Sequence, residues 1–342
     1  MPSWSLKRIG TAALGAATIA VTIALPAAAG DGIGFALDWV VNGTHAGYFV
    51  AQGKGYYGDA GLDVTLSRGF GSGDTVKRVA AGTATFGLAD TGAIIAAEAN
   101  EEVPIRIVAM IYDRASLGVI YLAESGIKNP KDLEGRKIGR SASGASVNMF
   151  PGFLKANNID RSKIREVVVD GANFLPMLMS AQVDAVLEQS IIIGKFRRIA
   201  AEQGKTALAM RYSDFGLEAY GNAILTHPTT LQDKPDLVRR FVKASLRGVA
   251  YAFDHPEEAI AIMRKTNPEV AADSATDELV AMREIETTDE IQRVGLGHID
   301  RTRMEKTRDI ITSALSLKRS VPLEEIYSAD FLPESPIVHS GK

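Results

Sequence analysis

An alternation that runs through most of the chain constrains its fold more than any other feature. Short apolar, β-branched runs each end in a Gly-, Ser-, Asp- or Asn-containing turn, and a stretch follows whose apolar residues recur every three or four positions. Residues 62–67, 85–88, 105–112, 137–139, 166–169, 183–188 and 223–226 read as strands, and residues 236–254, 256–266, 274–286 and 303–317 as amphipathic helices. Strands separated by helices cannot pair as tight hairpins, so the pattern predicts an α/β fold with a parallel-rich sheet. A chain of 342 residues also exceeds what one core ordinarily organises, and two units are expected. The polar segment Ser-Gly-Ile-Lys-Asn-Pro-Lys-Asp-Leu-Glu-Gly at 125–135 marks entry to the second, and Tyr220-Gly221-Asn222 marks the return. Residues 30–121 and 222–342 would then form one lobe, and 122–221 a second lobe inserted into it, with crossings near Leu122 and Gly221.

The first thirty residues follow a different rule. Lys7 and Arg8 precede an alanine-rich apolar run at 9–25, and Ala27-Ala28-Ala29 offers small residues for cleavage. Residues 1–29 thus read as a secretory signal peptide, and the periplasm is the expected address. Glycines and threonines interrupt the run, which is short for a membrane anchor. The absence of cysteine excludes disulfides, thiolate metal sites and a cysteine nucleophile. Net charge is −3, or −5 without Lys7 and Arg8, since 36 basic residues then face 41 acidic ones. Neither sign dominates a long stretch, so nucleic acid is not an expected partner. A monomer without cofactor or metal is expected.

Residues 37–57, Leu-Asp-Trp-Val-Val-Asn-Gly-Thr-His-Ala-Gly-Tyr-Phe-Val-Ala-Gln-Gly-Lys-Gly-Tyr-Tyr, carry the most chemistry. A strand at 34–39 ends there, Asn42-Gly43 breaks it, and Thr44 is placed to cap a helix starting at His45. In an open α/β sheet such a junction faces the ligand crevice beyond the carboxyl ends of the strands. Trp39 could stack there on a flat ring whose edges Asn42 and His45 read, although tryptophan at a strand end also serves as plain core. The run Asp-Trp, then Asn-x-x-His-x-Gly, Val-Ala and Gly-Tyr-Tyr resembles the opening of periplasmic solute-binding proteins of the thiamine-pyrimidine-precursor type, a group with sulfonate- and nitrate-binding relatives. The resemblance implies a type II-like periplasmic-binding-protein fold, with two lobes joined by two crossing strands and the solute between them. It further implies an ABC permease and ATPase as membrane partners.

Other candidates come from helix starts and strand ends. Ser72-Gly73-Asp74 and Asp90-Thr91-Gly92 open helices, where unpaired amides attract polar or anionic groups; equally, Asp74 and Thr91 could only cap their own helices. The small polar loop at 141–146 lies between strand and helix, so Ser143, Ala145 and Ser146 are the second lobe's candidates for a backbone amide cradle. Glu188 ends a strand and would face the cleft, where a carboxylate suits an amine and repels a sulfonate or nitrate; Asp38 and Asp113 carry the same ambiguity.

Gly53-Lys-Gly-Tyr-Tyr-Gly58 matches a dinucleotide loop by spacing but ends a helix instead of opening one, so it reads as a helix stop. Gly-x-Ser-x-Gly, His-Glu-x-x-His and Walker motifs are absent, and the five histidines lack ligand spacing. The fungal thiamine-pyrimidine synthase resembles these binding proteins but carries a cysteine-rich motif, which this chain lacks. A non-enzymatic solute-binding protein is therefore expected. The competing readings are a sulfonate- or nitrate-type binding protein, an exported enzyme using His45, and a sensor that presents its lobes to a receptor.

Overall fold

Two five-stranded sheets share one plan. The first runs β2 (Leu62–Ser67), β1 (Asp31–Ala36), β3 (Phe86–Asp90), β10 (Asn222–Thr226), β4 (Arg106–Met110); the second runs β7 (Arg165–Val168), β6 (Lys137–Arg140), β8 (Ala185–Gln189), β5 (Leu117–Leu122), β9 (Ala207–Arg211). The computed structural model describes residues 1–4, 31–142 and 144–340. The expected signal peptide falls largely, and Ser143 wholly, outside the described residues.

In each sheet four strands run the same way, and the fourth in the row is antiparallel to both its neighbours. The antiparallel strand, β10 in one sheet and β5 in the other, is the one that enters from the opposite half. The two halves have the same topology without any repeat in the residues, because a sheet dictates burial and direction, not residue identity.

The first crossing occupies residues 111–116, since β5 with Leu122 already belongs to the second sheet; the expected position near Leu122 is too late. The return runs through 212–221 into β10. These two segments bond to each other: Ile111 and Tyr112 N–H donate to Asn222 O, Gly221 N–H to Tyr112 O, and Ala115 N–H to Ala219 O. A Cβ on Gly221 would stand 2.8 Å from Tyr112 Cβ, so only glycine lets the segments lie together.

Strands β5 and β9 have no counterpart among the sequence-based strands. Ala-Leu-Ala-Met-Arg at 207–211 has helix-forming composition, and pairing with the buried β5 overrides it. The amphipathic helices lie within two residues of their expected bounds, as Pro235–Asp254, Pro256–Arg264, Ala272–Glu286 and Arg301–Leu315. Among the described residues no helix is long and apolar enough to cross a membrane.

Helix Pro235–Asp254 packs on Ala46–Gly53, the helix that follows His45. Their backbones nearly touch: a Cβ on Gly248 would sit 2.1 Å from Gly47 O. Beneath them, Phe241 stacks on Phe86 at 3.8 Å and meets Phe35 edge-on. This core anchors the loop between β1 and its helix.

The lobes also meet directly. Gly152 of helix Ala145–Ala156 leaves room for Ala314 of helix Arg301–Leu315, at 2.2 Å from a would-be Cβ. On the other side Ile191 is buried in the first lobe's core, and Arg198 lies 2.8 Å from Asp277 and donates to Ser274 Oγ. Ile191 and Ile192 thus pack against the first lobe's core, while Ile193 stays in the second lobe's own.

Candidate functional site

The loop after β1 is built by its own polar groups. Asn42, not Thr44, is the cap: its Oδ1 accepts from Thr44 N–H at 3.0 Å and from Thr44 Oγ1 at 2.7 Å, opening a 3₁₀ turn at Gly43–His45. The N–H of Asn42 donates to His45 Nδ1 at 3.2 Å, which places the ring proton on Nε2, 2.8 Å from Asp38 Oδ1. Asn222 Nδ2 donates to Asp38 Oδ2 at 2.8 Å. His45 is 1% exposed. Both its nitrogens are engaged within the protein, so it is not the open ligand donor at the rim that its position suggests. Asp38 and Asn222, whose carbonyl accepts from Ile111 and Tyr112 N–H, instead tie this loop to both interlobe crossings, and no spacing in the sequence signals that.

Gly43 N–H donates to Glu278 Oε2 at 2.8 Å, and a Cβ on Gly43 would lie 1.8 Å from Ala275 O. Helix Ala272–Glu286 therefore presses directly on the loop. Trp39 points outward, half exposed. The glycine-rich turn at 69–71 runs against it: Gly69 N–H donates to Trp39 O at 3.0 Å and Gly71 N–H to Asp38 O at 2.8 Å.

Two helix starts behave differently from expectation. Helix Ser72–Ala80 begins at Ser72 behind Gly71, and Asp74 does not cap it. Ser72 Oγ accepts from Asp90 N–H at 3.0 Å, joining the two starts. Asp90 caps helix Thr91–Glu101, its Oδ1 accepting from Gly92 N–H at 2.9 Å. Burial pushes its carboxyl up to about 6 against the pull of the Gly92 and Ala93 amides.

The second lobe brings Ala145 and Ser146 to the first turn of helix Ala145–Ala156. Ser146 Oγ is buried and has no hydrogen-bond partner among the described residues, while its carbonyl accepts from Tyr212 Oη at 3.0 Å. Between the lobes a void of about 10 Å³ is lined by Asp90, Gly92, Met149, Tyr212 and Tyr220, among others. Glu188 is the penultimate residue of β8; burial pushes its carboxyl up to about 7, the Gln189 amide opposing and Glu278 adding to the rise. Glu278 is likewise raised by burial, with the Gly43 amide, His45 and Lys195 opposing.

Asp113 stands apart. Arg303 Nη1 lies 2.5 Å from its Oδ1, the guanidinium also reaches its carbonyl, and its N–H donates to Glu286. Its charge is spent on the first crossing, not offered to a solute. Glu290, His298 and Asp300 place potential metal-ligand atoms within 4.8 Å of one another, but Arg303 Nη1, 3.9 Å from Glu290, already brings a positive charge there.

The structure thus gathers Trp39, Asn42, His45, Ser72 and Asp90 around one junction and sets Ala145, Ser146 and Glu188 on the second lobe. Two inserted lobes of matching topology, joined by paired crossings and shut over such a junction, define the periplasmic-binding-protein fold. The Escherichia coli periplasmic aliphatic sulphonate binding protein SsuA superposes with a TM-score of 0.65 at 13% identity, over 86% of this chain and 96% of that one.

The chain belongs to the NMT1/THI5-like family, whose model matches residues 42–259. It is similar to the riboflavin-binding protein RibY of Chloroflexus aurantiacus, 25% identical over 87% of this chain and 85% of the relative. It is also similar to the formylaminopyrimidine-binding protein of Halalkalibacterium halodurans, 23% identical over 66% and 68%. The 4-amino-5-hydroxymethyl-2-methylpyrimidine phosphate synthase of Legionella pneumophila is 24% identical over 68% and 73%.

Proposed function

We propose that this chain is the exported solute-binding component of an ABC importer, closing over a small nitrogen-containing ring such as a thiamine pyrimidine precursor. The observation that carries the reading is the set of carboxylates at the lobe junction: Asp90 lines the interlobe void, and Glu278 accepts from Gly43 N–H in the loop that also carries the half-exposed Trp39. Carboxyl groups accept hydrogen bonds from ring amino groups and disfavour a sulfonate or nitrate. Relatives named for riboflavin and formylaminopyrimidine bind flat nitrogen-containing rings, which supports the same class here. Membership of a family with synthase relatives leaves turnover to be tested, and the engagement of both His45 nitrogens favours binding alone. The basic and apolar N-terminal run supports export to the periplasm, where a permease and its ATPase would receive the solute; the chain would act as a monomer.

A melting panel tests the reading. A ring solute present at about 100 times its dissociation constant should stabilise the chain by roughly 2.7 kcal/mol. Stabilisation by an alkanesulfonate or nitrate alone would replace this reading with the anion-binding one. Conversion of a bound pyrimidine to a new product, seen by chromatography, would make the chain an enzyme.

A further inference from the structure

Large apolar side chains that stand in solvent are few among the described residues, and three of them, Trp39, Val40 and Phe70, sit on two adjacent loops beyond the carboxyl ends of β1 and β2. Phe70 is 70% exposed and Trp39 50%. A scattered exposed aromatic needs no explanation. Phe70 differs because its backbone is fixed on both sides.

Gly69 and Gly71 donate to the carbonyls of Trp39 and Asp38, so the turn that carries Phe70 is bonded to the residues that carry Trp39. Both glycines are required by the geometry. A Cβ on Gly69 would lie 2.1 Å from Leu37 O, and Gly71 has φ +121°, with its would-be Cβ 3.7 Å from the Trp39 ring. The Arg68 guanidinium stacks 4.6 Å from the centre of the Phe70 ring, covering one face and leaving the other. Ordering an apolar ring in water contributes nothing to folding, whereas a pre-positioned ring lowers the entropy cost of gripping a ligand.

We propose that Phe70 is a second aromatic wall of the solute site, acting with Trp39 to select flat heteroaromatic solutes over aliphatic anions. The inference rests on the solute-binding reading and adds to it a residue and a basis for selectivity.

Calorimetric titration of the full chain with riboflavin, formylaminopyrimidine and ethanesulfonate tests it. Phe70→Ala should weaken binding of whichever ring probe the wild type takes by roughly tenfold, with an unchanged melting temperature, and Phe70→Tyr should stay within about twofold. If Trp39→Ala weakens ring binding and Phe70→Ala does not, Phe70 is no wall, although the functional reading stands. Intact binding with impaired delivery to the importer would assign Phe70 to a partner surface and overturn the inference equally. If only ethanesulfonate binds, the functional reading fails and takes this one with it.

Discussion

His45 shows how much a single residue's role depends on its partners. Its ring bridges Asn42 N–H and Asp38, and Asp38 in turn holds Asn222 at the start of β10. Truncation would leave a buried carboxylate and a backbone donor with fewer partners, so His45→Ala should destabilise the chain by about 2–4 kcal/mol in urea unfolding. Loss of solute binding at an unchanged unfolding midpoint would instead make His45 a ligand contact. The raised carboxyls make a separate prediction. Burial lifts Asp90 from 3.8 to about 6, and Glu98 and Glu188 from 4.5 to about 7. Each folded value exceeds the unfolded one, so the native state binds these protons more tightly, and their contribution to stability falls as pH rises from about 4 to about 7. Glu134, held down to about 2 by Lys131, acts in the opposite sense and only below that window. Glu188→Gln should therefore flatten the decline between pH 5 and pH 7, measured by denaturant unfolding across pH. An unchanged slope would remove Glu188 from the account. None of this was legible in the residues alone: Asp, His and Glu at strand ends read alike whether they face a ligand or one another.

At the scale of elements, the long helices were legible because period 3.6 survives any context that leaves one face in the core. The crossings were not. Their backbone is short and irregular, and what holds it is Arg303, 190 positions from Asp113 along the chain. Arg303 reaches both the carboxylate and the carbonyl of Asp113, while burial, with Asp113 beside it, pushes Glu286 well above the usual carboxylate range. Arg303→Met would leave Asp113 buried without its cation, at a cost of about 3–5 kcal/mol. Urea unfolding measures this, and a loss below about 1 kcal/mol would show that water reaches the crossing. Strand β9 was missed for a related reason, since local composition argued for helix and only the partner strand decides.

At the scale of the molecule, the lobes are held shut by Ile191, by the close approach of Gly152 to Ala314, and by Arg198 against Asp277 and Ser274. Hinge closure about two crossings is how proteins of this architecture enclose solutes. Arg198 and Asp277 are each more than a third exposed, so their pair contributes only about 0–1 kcal/mol to folding. A small bias is enough to shift an equilibrium between open and shut forms. Arg198→Ala should leave the melting temperature almost unchanged yet raise the radius of gyration of the solute-free chain in X-ray scattering. Ring solute should reverse that expansion. Equal radii for both proteins with and without solute would exclude an opening governed by this contact.

The residues by themselves determined the class of fold, its division into two lobes, the export-like N-terminus and the loop around Trp39, since each depends on local periodicity or on neighbours a few positions apart. Only the tertiary structure decided that His45 bonds Asn42 and Asp38, that Asp113 pairs with Arg303, that Asp38 and Asn222 link the loop to the crossings, and that the turn carrying Phe70 is bonded to Trp39. The bonds of His45 reach only three and seven positions, but the other contacts join residues about 30 to 190 positions apart, and no local pattern of residue types encodes such a distance.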